Sequence, residues 1–262
     1  MSRICPLFSG STGNSTYIGT TNGDILVDAG GSARSLCEAI NKAGGSFEEI
    51  KAVAVTHEHI DHIKGLKPFL KKSGATLIAS EKTLEFLIQN DKVPKETRVI
   101  PINDETVEID GIAINRFATS HDCEGSSGYT FILPDNKKIS VCTDLGIVTD
   151  TVRNALQKSD LVLLESNHDI DMLKRGPYPP ILKVRIMSEK GHISNAVCAG
   201  ELGNLLKSGT TRFILGHLSQ KNNTPILAKA AAESALMDLG AKNGCDYLLS
   251  VAKPVGNGVT VI

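Results

Sequence analysis

Ala52-Val53-Ala54-Val55-Thr56-His57-Glu58-His59-Ile60-Asp61-His62 is the stretch that decides the reading. A run of small and β-branched residues with strand character leads straight into His57, His59, Asp61 and His62, four metal-binding side chains in six positions. Side chains this close together at a strand end converge only if the backbone turns sharply there. Neutral imidazole nitrogen combined with carboxylate oxygen suits Zn²⁺ and is accepted by Mn²⁺ and Fe²⁺. Divided between two positions, His57 and His59 face one ion while Asp61 and His62 face a second. A lone His-x-His is ordinarily a solvated polar turn. The full His-x-His-x-Asp-His after a strand is too specific a pattern for that reading.

Outward from this turn the chain alternates strand-length and helix-length segments. Strands are expected at 16–19, 24–28, 52–56 and 76–79, with helices over 33–43, 63–72 and 81–91 between them. A second strand-rich half is expected at 106–109, 112–118, 128–133, 138–143 and 160–165, with a hairpin turning at Asp110-Gly111. After an irregular proline-rich loop, Gly176 to Pro180, the pattern gives a helix over 195–207 and a strand over 212–215. A further helix is capped by Thr224 with Pro225 at its first position, and strands at 246–252 and 258–261 close the chain. With no repeat, linker or low-complexity tract, this reads as one α/β domain over residues 1–262, with two sheets and outer helices.

Composition sets the boundaries. Of 262 residues, 41% are hydrophobic, enough for a substantial core, and the formal net charge of −1 neither requires nor excludes a polyanionic partner. The absence of Trp argues against a base-stacking platform for single strands. Six cysteines, Cys5, Cys37, Cys123, Cys142, Cys198 and Cys245, show no framework spacing and read as reduced thiols. No apolar run approaches the ~20 residues of a membrane span, and no secretory signal is visible, so a cytoplasmic protein is expected.

With His121 in Thr119-Ser-His-Asp, Asp144 in Cys142-Thr-Asp-Leu-Gly and His217 in Leu215-Gly-His-Leu-Ser added to the opening motif, the chain resembles the metallo-β-lactamase superfamily over nearly its whole length. The resemblance implies a four-layer αββα sandwich with two mixed sheets. It implies that His57, His59 and His121 hold a first divalent ion, that Asp61, His62 and His217 hold a second, and that Asp144 bridges them. Asp28, ending Ile25-Leu-Val-Asp, looks like the family's structural aspartate, a hydrogen-bonded loop organiser and not a ligand. A bridging carboxylate at Asp144, where the lactamases carry Cys, points to the phosphodiesterase and thioesterase branches. His59, which the redox branch replaces with Glu, lowers an oxygen-reductase reading.

Further blocks narrow the resemblance: Ser9-Gly-Ser-Thr-Gly-Asn-Ser15, Leu164-Glu-Ser-Asn-His168, the stretch from Tyr178 through Leu182-Lys183 to Arg185, Gly191-His-Ile-Ser-Asn195, and His217-Leu-Ser with Asn222-Asn223. Together they look like the YycJ/WalJ (VicX) group, similar to the ribonuclease Z and ribonuclease J branches and associated with exonuclease action on DNA. The implied reaction is hydrolysis of a nucleic-acid phosphodiester, DNA favoured, by a hydroxide shared between two ions, Zn or Mn with Fe possible. Asp61 would orient the attacking oxygen, His192 would protonate the leaving oxygen, and Glu165 would fix the His192 tautomer. His168, Lys183, Arg185 and Asn195 are candidate substrate contacts, within a basic stretch that also holds Lys174, Arg175 and Lys190. Lys64, Lys67, Lys71 and Lys72 read as surface charge, and the Ser11–Asn14 loop as a structural turn. The alternatives are a small thioester or phosphodiester hydrolase resembling glyoxalase II, and a non-catalytic metal-binding regulatory protein. Against the last, every expected ligand position is occupied.

Overall fold

The structure is a computed structural model that describes residues 2–262. The first sheet uses strands β1 (Arg3–Phe8), β2 (Ser15–Gly19), β3 (Asp24–Val27), β4 (Ile50–Ala54), β5 (Thr76–Ala79) and β6 (Val99–Pro101). The second uses β7 (Val107–Ile109), β8 (Ile112–Ala118), β9 (Ser127–Ile132), β10 (Lys138–Cys142), β11 (Leu161–Glu165), β12 (Arg212–Gly216) and β13 (Leu248–Val251). The closing strand β14 (Thr260–Val261) returns to pair antiparallel with β1, so the sheet orders are β14-β1-β2-β3-β4-β5-β6 and β13-β12-β11-β10-β9-β8-β7. Each sheet is antiparallel on one side and parallel on the other: β3 to β6 run parallel in the first, β10 to β13 in the second. Parallel neighbours need crossover helices, and these cover the outer faces.

Helices α1 (Ala33–Lys42), α2 (Ile60–Ile63), α3 (Leu66–Ser73) and α4 (Glu81–Gln89) belong to the first half. Leu36, Ile40, Phe69 and Leu84 pack there against Leu26, Val53 and Leu77. In the second half, α5 (Asp150–Leu156), α6 (Ile170–Arg175), α7 (Pro180–Ile186), α8 (Asn195–Lys207) and α9 (Pro225–Met237) follow, with Leu156, Leu202 and Leu236 packed on Val162 and Phe213. The opposite strand faces meet between the sheets, where Ile25, Ala52 and Ile78 join Ile114, Phe131, Leu163 and Ile214. Period-two alternation on strands buried on both faces produces these three apolar layers, and the result is the αββα sandwich. No helix among the described residues is long and apolar enough to cross a membrane.

The local chemistry accounts for most boundaries. Ser32, Ser80, Ser194 and Thr224 cap α1, α4, α8 and α9 with side-chain oxygens on the N–H three residues on. The β7–β8 hairpin closes at Asp110-Gly111 with both residues in the left-handed region, φ 49° and 78°, as a tight primed turn requires. The helix expected over 63–72 begins later, at Leu66, and a separate turn ends at Ile63. A single turn, α2, precedes Gly65, and α3 starts beyond it, because Gly65 passes so close to the Gly31 carbonyl that no side chain fits. Strands β1 and β6 and helices α5, α6 and α7 were not expected from the sequence pattern. The proline-rich loop ends where α7 begins, with Pro180 in its first turn.

Candidate metal centre

The seven candidate metal ligands gather at one rim of the two sheets, each on a segment that follows a strand end. Beyond β4, Val55 donates its N–H to Ile78, and the Val55 carbonyl accepts the Tyr129 hydroxyl of β9 at 2.7 Å. That cross-sheet bond fixes the exit of β4 against the second sheet just before His57. The α2 turn then swings Asp61 and His62 back towards His57. Asp28 organises this reversal: its carboxylate accepts from the Thr56 N–H at 2.8 Å and the Thr56 hydroxyl at 2.9 Å, and stands 2.8 Å from His62 Nδ1. The amino-terminal loop braces the same turn through Asn14. Its N–H donates to the Asp61 carbonyl at 2.7 Å, and its side-chain amide lies 3.2 Å from Asp61 Oδ2 and 3.0 Å from His62 Nε2. Gly30 is required beside it, since a Cβ there would collide with the Asp61 carbonyl oxygen.

The second sheet supplies the rest. His121 follows β8, Asp144 follows β10, and His217 follows β12 with its N–H held by Ser9 Oγ at 2.8 Å. The donor atoms of His57, His59 and His121 lie within 4.8 Å of one another, as do those of Asp61, His62 and His217. Asp144 stands between the two groups. Its Oδ1 is 3.9 Å from His121 Nε2, and its Oδ2 is 3.3 Å from His62 Nε2 and 3.0 Å from His217 Nδ1. Glu165, at the end of β11, places Oε1 2.8 Å from His192 Nδ1 and 3.0 Å from His217 Nδ1, while Oε2 accepts the Ile193 N–H at 3.1 Å.

Burial makes these groups depend on one another. Burial drives His57 well below its ordinary value, and the neighbouring His62 acts in the same direction. It also opposes charge on His62, but Asp28 and Asp144 outweigh it and carry that imidazole up to about 9. Burial likewise disfavours ionised Glu165, yet His192 and His217 outweigh it and bring the carboxyl down to about 2. Asp144 is held well below the usual range against burial by His217 and His62. Even so, His121 Nε2, Asp144 Oδ2 and His217 Nδ1 are buried without a hydrogen-bond partner. The 3.0 Å approach of the last two is not aligned as an N–H···O bond. Each unpaired buried polar atom costs about 1–3 kcal/mol. Imidazole nitrogens and carboxylate oxygens left unpaired around a common space fit divalent cations as the missing partners.

The remaining candidates fall elsewhere. Asn195 is buried, and both its amide atoms are taken: Oδ1 by the Ser166 hydroxyl at 2.7 Å, and Nδ2 by Asn223 Oδ1 at 2.9 Å. These bonds tie the Glu165–His168 segment to the start of α8, and leave the expected substrate contact of Asn195 without a free amide atom to make it. His168 is buried with Nδ1 unpaired, outside every metal-type cluster among the described residues. Lys183 donates to the Lys174 carbonyl at 2.7 Å, closing the end of α6, and Arg185 pairs with Asp122. Thr56 and Asp122 are site residues that sequence reasoning missed, whereas Asn14 lies in the loop read there as a structural turn. Asp122 carried one signal, a carboxylate directly after His121.

Comparison with known proteins gives the family. The family model described as the Beta-lactamase superfamily domain matches residues 24–218. The chain belongs to the beta-lactamase superfamily. Within it, the chain is similar to exodeoxyribonuclease YycJ of Bacillus anthracis, 35% identical over 89% of each protein. It is also similar to exodeoxyribonuclease WalJ of Streptococcus pneumoniae serotype 2, 34% identical over 95% of this chain and 93% of that one. Among solved structures, the metallo-beta-lactamase fold protein YhfI from Bacillus subtilis superposes with a TM-score of 0.74 over 99% of both chains at 15% identity. At that identity the likeness speaks for the superfamily sandwich alone.

Proposed function

We propose that this chain is a DNA exonuclease, hydrolysing phosphodiester bonds with two divalent ions, zinc or manganese, with iron among those the donors accept. The observation that carries the reading is the division of donors into a His57–His59–His121 set and an Asp61–His62–His217 set with Asp144 between them. The substrate is inferred from the two relatives, each named an exodeoxyribonuclease. On this reading the two sheets form one catalytic domain acting on DNA in the cytoplasm.

His57, His59 and His121 would hold one ion, Asp61, His62 and His217 the other, and Asp144 would reach both. Such ions, when bound, make water nucleophilic at neutral pH and neutralise charge that builds up on the phosphoryl oxygens. The chain's own groups do the rest. Asp61 accepts a hydrogen bond from the attacking water and orients it towards phosphorus, with the carboxylate itself steadied by the Asn14 amide. His192 stands over the cluster, its ring centroid 5.2 Å from that of His121 and 5.3 Å from that of His217. Burial opposes its charge, but Glu165 outweighs this and raises its pKa, which favours the proton-carrying form. The His192 Nε2 proton passes to the leaving sugar oxygen as the phosphorus–oxygen bond breaks. The ring then remains neutral, keeping its Nδ1–H, which donates to Glu165 Oε1. Lys174, Arg175 and Lys190 supply positive charge for neighbouring phosphates.

The test is digestion of end-labelled duplex DNA, single-stranded DNA and RNA with Zn²⁺ or Mn²⁺, beside a thioester substrate and an Asp144→Ala control. Mononucleotide release from DNA, abolished by chelator and by the substitution, is the expected result. Faster turnover of the thioester than of any nucleic acid would overturn the assignment.

A further inference from the structure

Each imidazole assigned to a metal needs its nitrogen lone pair inward, and the opposite nitrogen decides whether it points there. His57 has Thr56 Oγ1 3.0 Å from its Nδ1, His121 has the Gly191 carbonyl 3.2 Å from its Nδ1, and His62 has Asp28 at 2.8 Å. His59 is mounted the other way round. Its Nδ1 faces His57 Nε2 at 3.0 Å, so Nε2 is the outward nitrogen. Two groups meet that nitrogen: Asp122 Oδ1 at 3.3 Å and Cys123 Sγ at 3.4 Å. Sulfur is a weak acceptor, whereas an ionised carboxylate draws the ring proton to Nε2 and leaves the Nδ1 lone pair inward.

Asp122 is itself held in place. Its Oδ1 also stands 3.3 Å from His121 Nε2, the nitrogen that faces the first metal position, so the carboxylate lies at the edge of that set. Its Oδ2 accepts from Arg185 Nε at 3.0 Å and from Arg185 Nη2. The Asp122 side chain is 29% exposed, so an untethered carboxylate would turn out into water, and the planar guanidinium fork opposes that. Arg185 projects from α7, and the loop after α7 is tied to His121 through Gly191. The orientation of His59 is thereby coupled to the helix that carries Lys183 and Arg185.

We propose that Asp122 is a positioning residue for the first metal set, fixing the ring and tautomer of His59, and that Arg185 is its brace. The proposal rests on the metal-centre reading given above. It asks nothing of the reaction itself, and its test reads metal binding.

The experiment is chelator-competition titration of the purified chain with Zn²⁺, with visible spectra of the Co²⁺-loaded protein, for wild type, Asp122→Asn, Arg185→Gln and Cys123→Ala. In Asp122→Asn one of the two equivalents weakens by ~10–100-fold while the other holds, and the cobalt bands change. Arg185→Gln weakens the same equivalent by less, and Cys123→Ala leaves both in place. Melting curves of the chelator-stripped proteins coincide, separating metal positioning from folding. Two equivalents bound by Asp122→Asn with wild-type affinity and spectrum would overturn the proposal and leave the metal centre standing. Failure of the wild type to bind any equivalent would bring down both.

Discussion

Asp28, Asp144 and His217 occupy the left-handed region, with φ of 61°, 58° and 53°, and each stands just past a strand of the central sheets. Such a conformation costs of order 1–3 kcal/mol for a non-glycine residue and persists only where surrounding contacts enforce it. Here it reverses the chain at the strand end, so the side chain reaches over the rim and not along the strand. The contacts that enforce it at Asp28 are the Thr56 and His62 bonds. Removing them in Asp28→Ala strands buried donors and should destabilise the chelator-treated protein by about 3 kcal/mol, read from urea unfolding. His192 makes the opposite prediction. His192→Ala should lower kcat on DNA by ~10²–10⁴-fold with KM and bound metal nearly unchanged, measured by single-turnover digestion and elemental analysis. An equal loss of metal would assign His192 to ligation.

The metal motif works because α2 is a turn held on both sides. The Asn14 N–H ties the amino-terminal loop to the Asp61 carbonyl, and the Ala29 N–H ties the β3 exit to the His62 carbonyl at 2.7 Å. Gly30 lies where these segments cross, and Gly30→Ala should displace Asp61 and His62 together. The expected outcome is loss of the second metal equivalent with the first retained, seen in the same zinc titration. On the proposed reading, the basic residues on and beside α6 and α7 would act on DNA through charge. Lys174→Ala and Lys190→Ala should each reduce the slope of log affinity against log salt by about 1 without altering kcat at saturating DNA. These two helices, of 6 and 7 residues, were hidden in the sequence because fewer than two turns give no readable periodicity. Pro6 within β1 and the three-residue β6 obscured those strands in the same way. The capped helices α8 and α9 and the Asp110-Gly111 hairpin were legible, since their signals lie within a few residues of chain.

Across the whole molecule, the donors are divided between the sheets: His57 to His62 leave the first, and His121, Asp144 and His217 leave the second. Cations bound among them would join the two halves at one rim, so chelation should lower Tm. An ion at 1,000 times its Kd adds about 4 kcal/mol to the folded state. Calorimetry with and without chelator reads this difference, and Asp144→Ala should abolish most of it. A melting temperature indifferent to chelator would argue that the sandwich holds no stabilising ion.

The sequence by itself determined the superfamily, the strand-borne His57–His62 motif, the other histidines and carboxylates in order, and most elements long enough to show a period. Those properties depend on residue type and on spacing along the chain. Only the tertiary structure decided that Asn195 is consumed by Ser166 and Asn223, that Asn14 steadies Asp61, and that Asp122 faces His59 from 63 positions away. Contacts between residues so far apart follow from how two sheets pack and where their loops meet, and no local pattern encodes that distance.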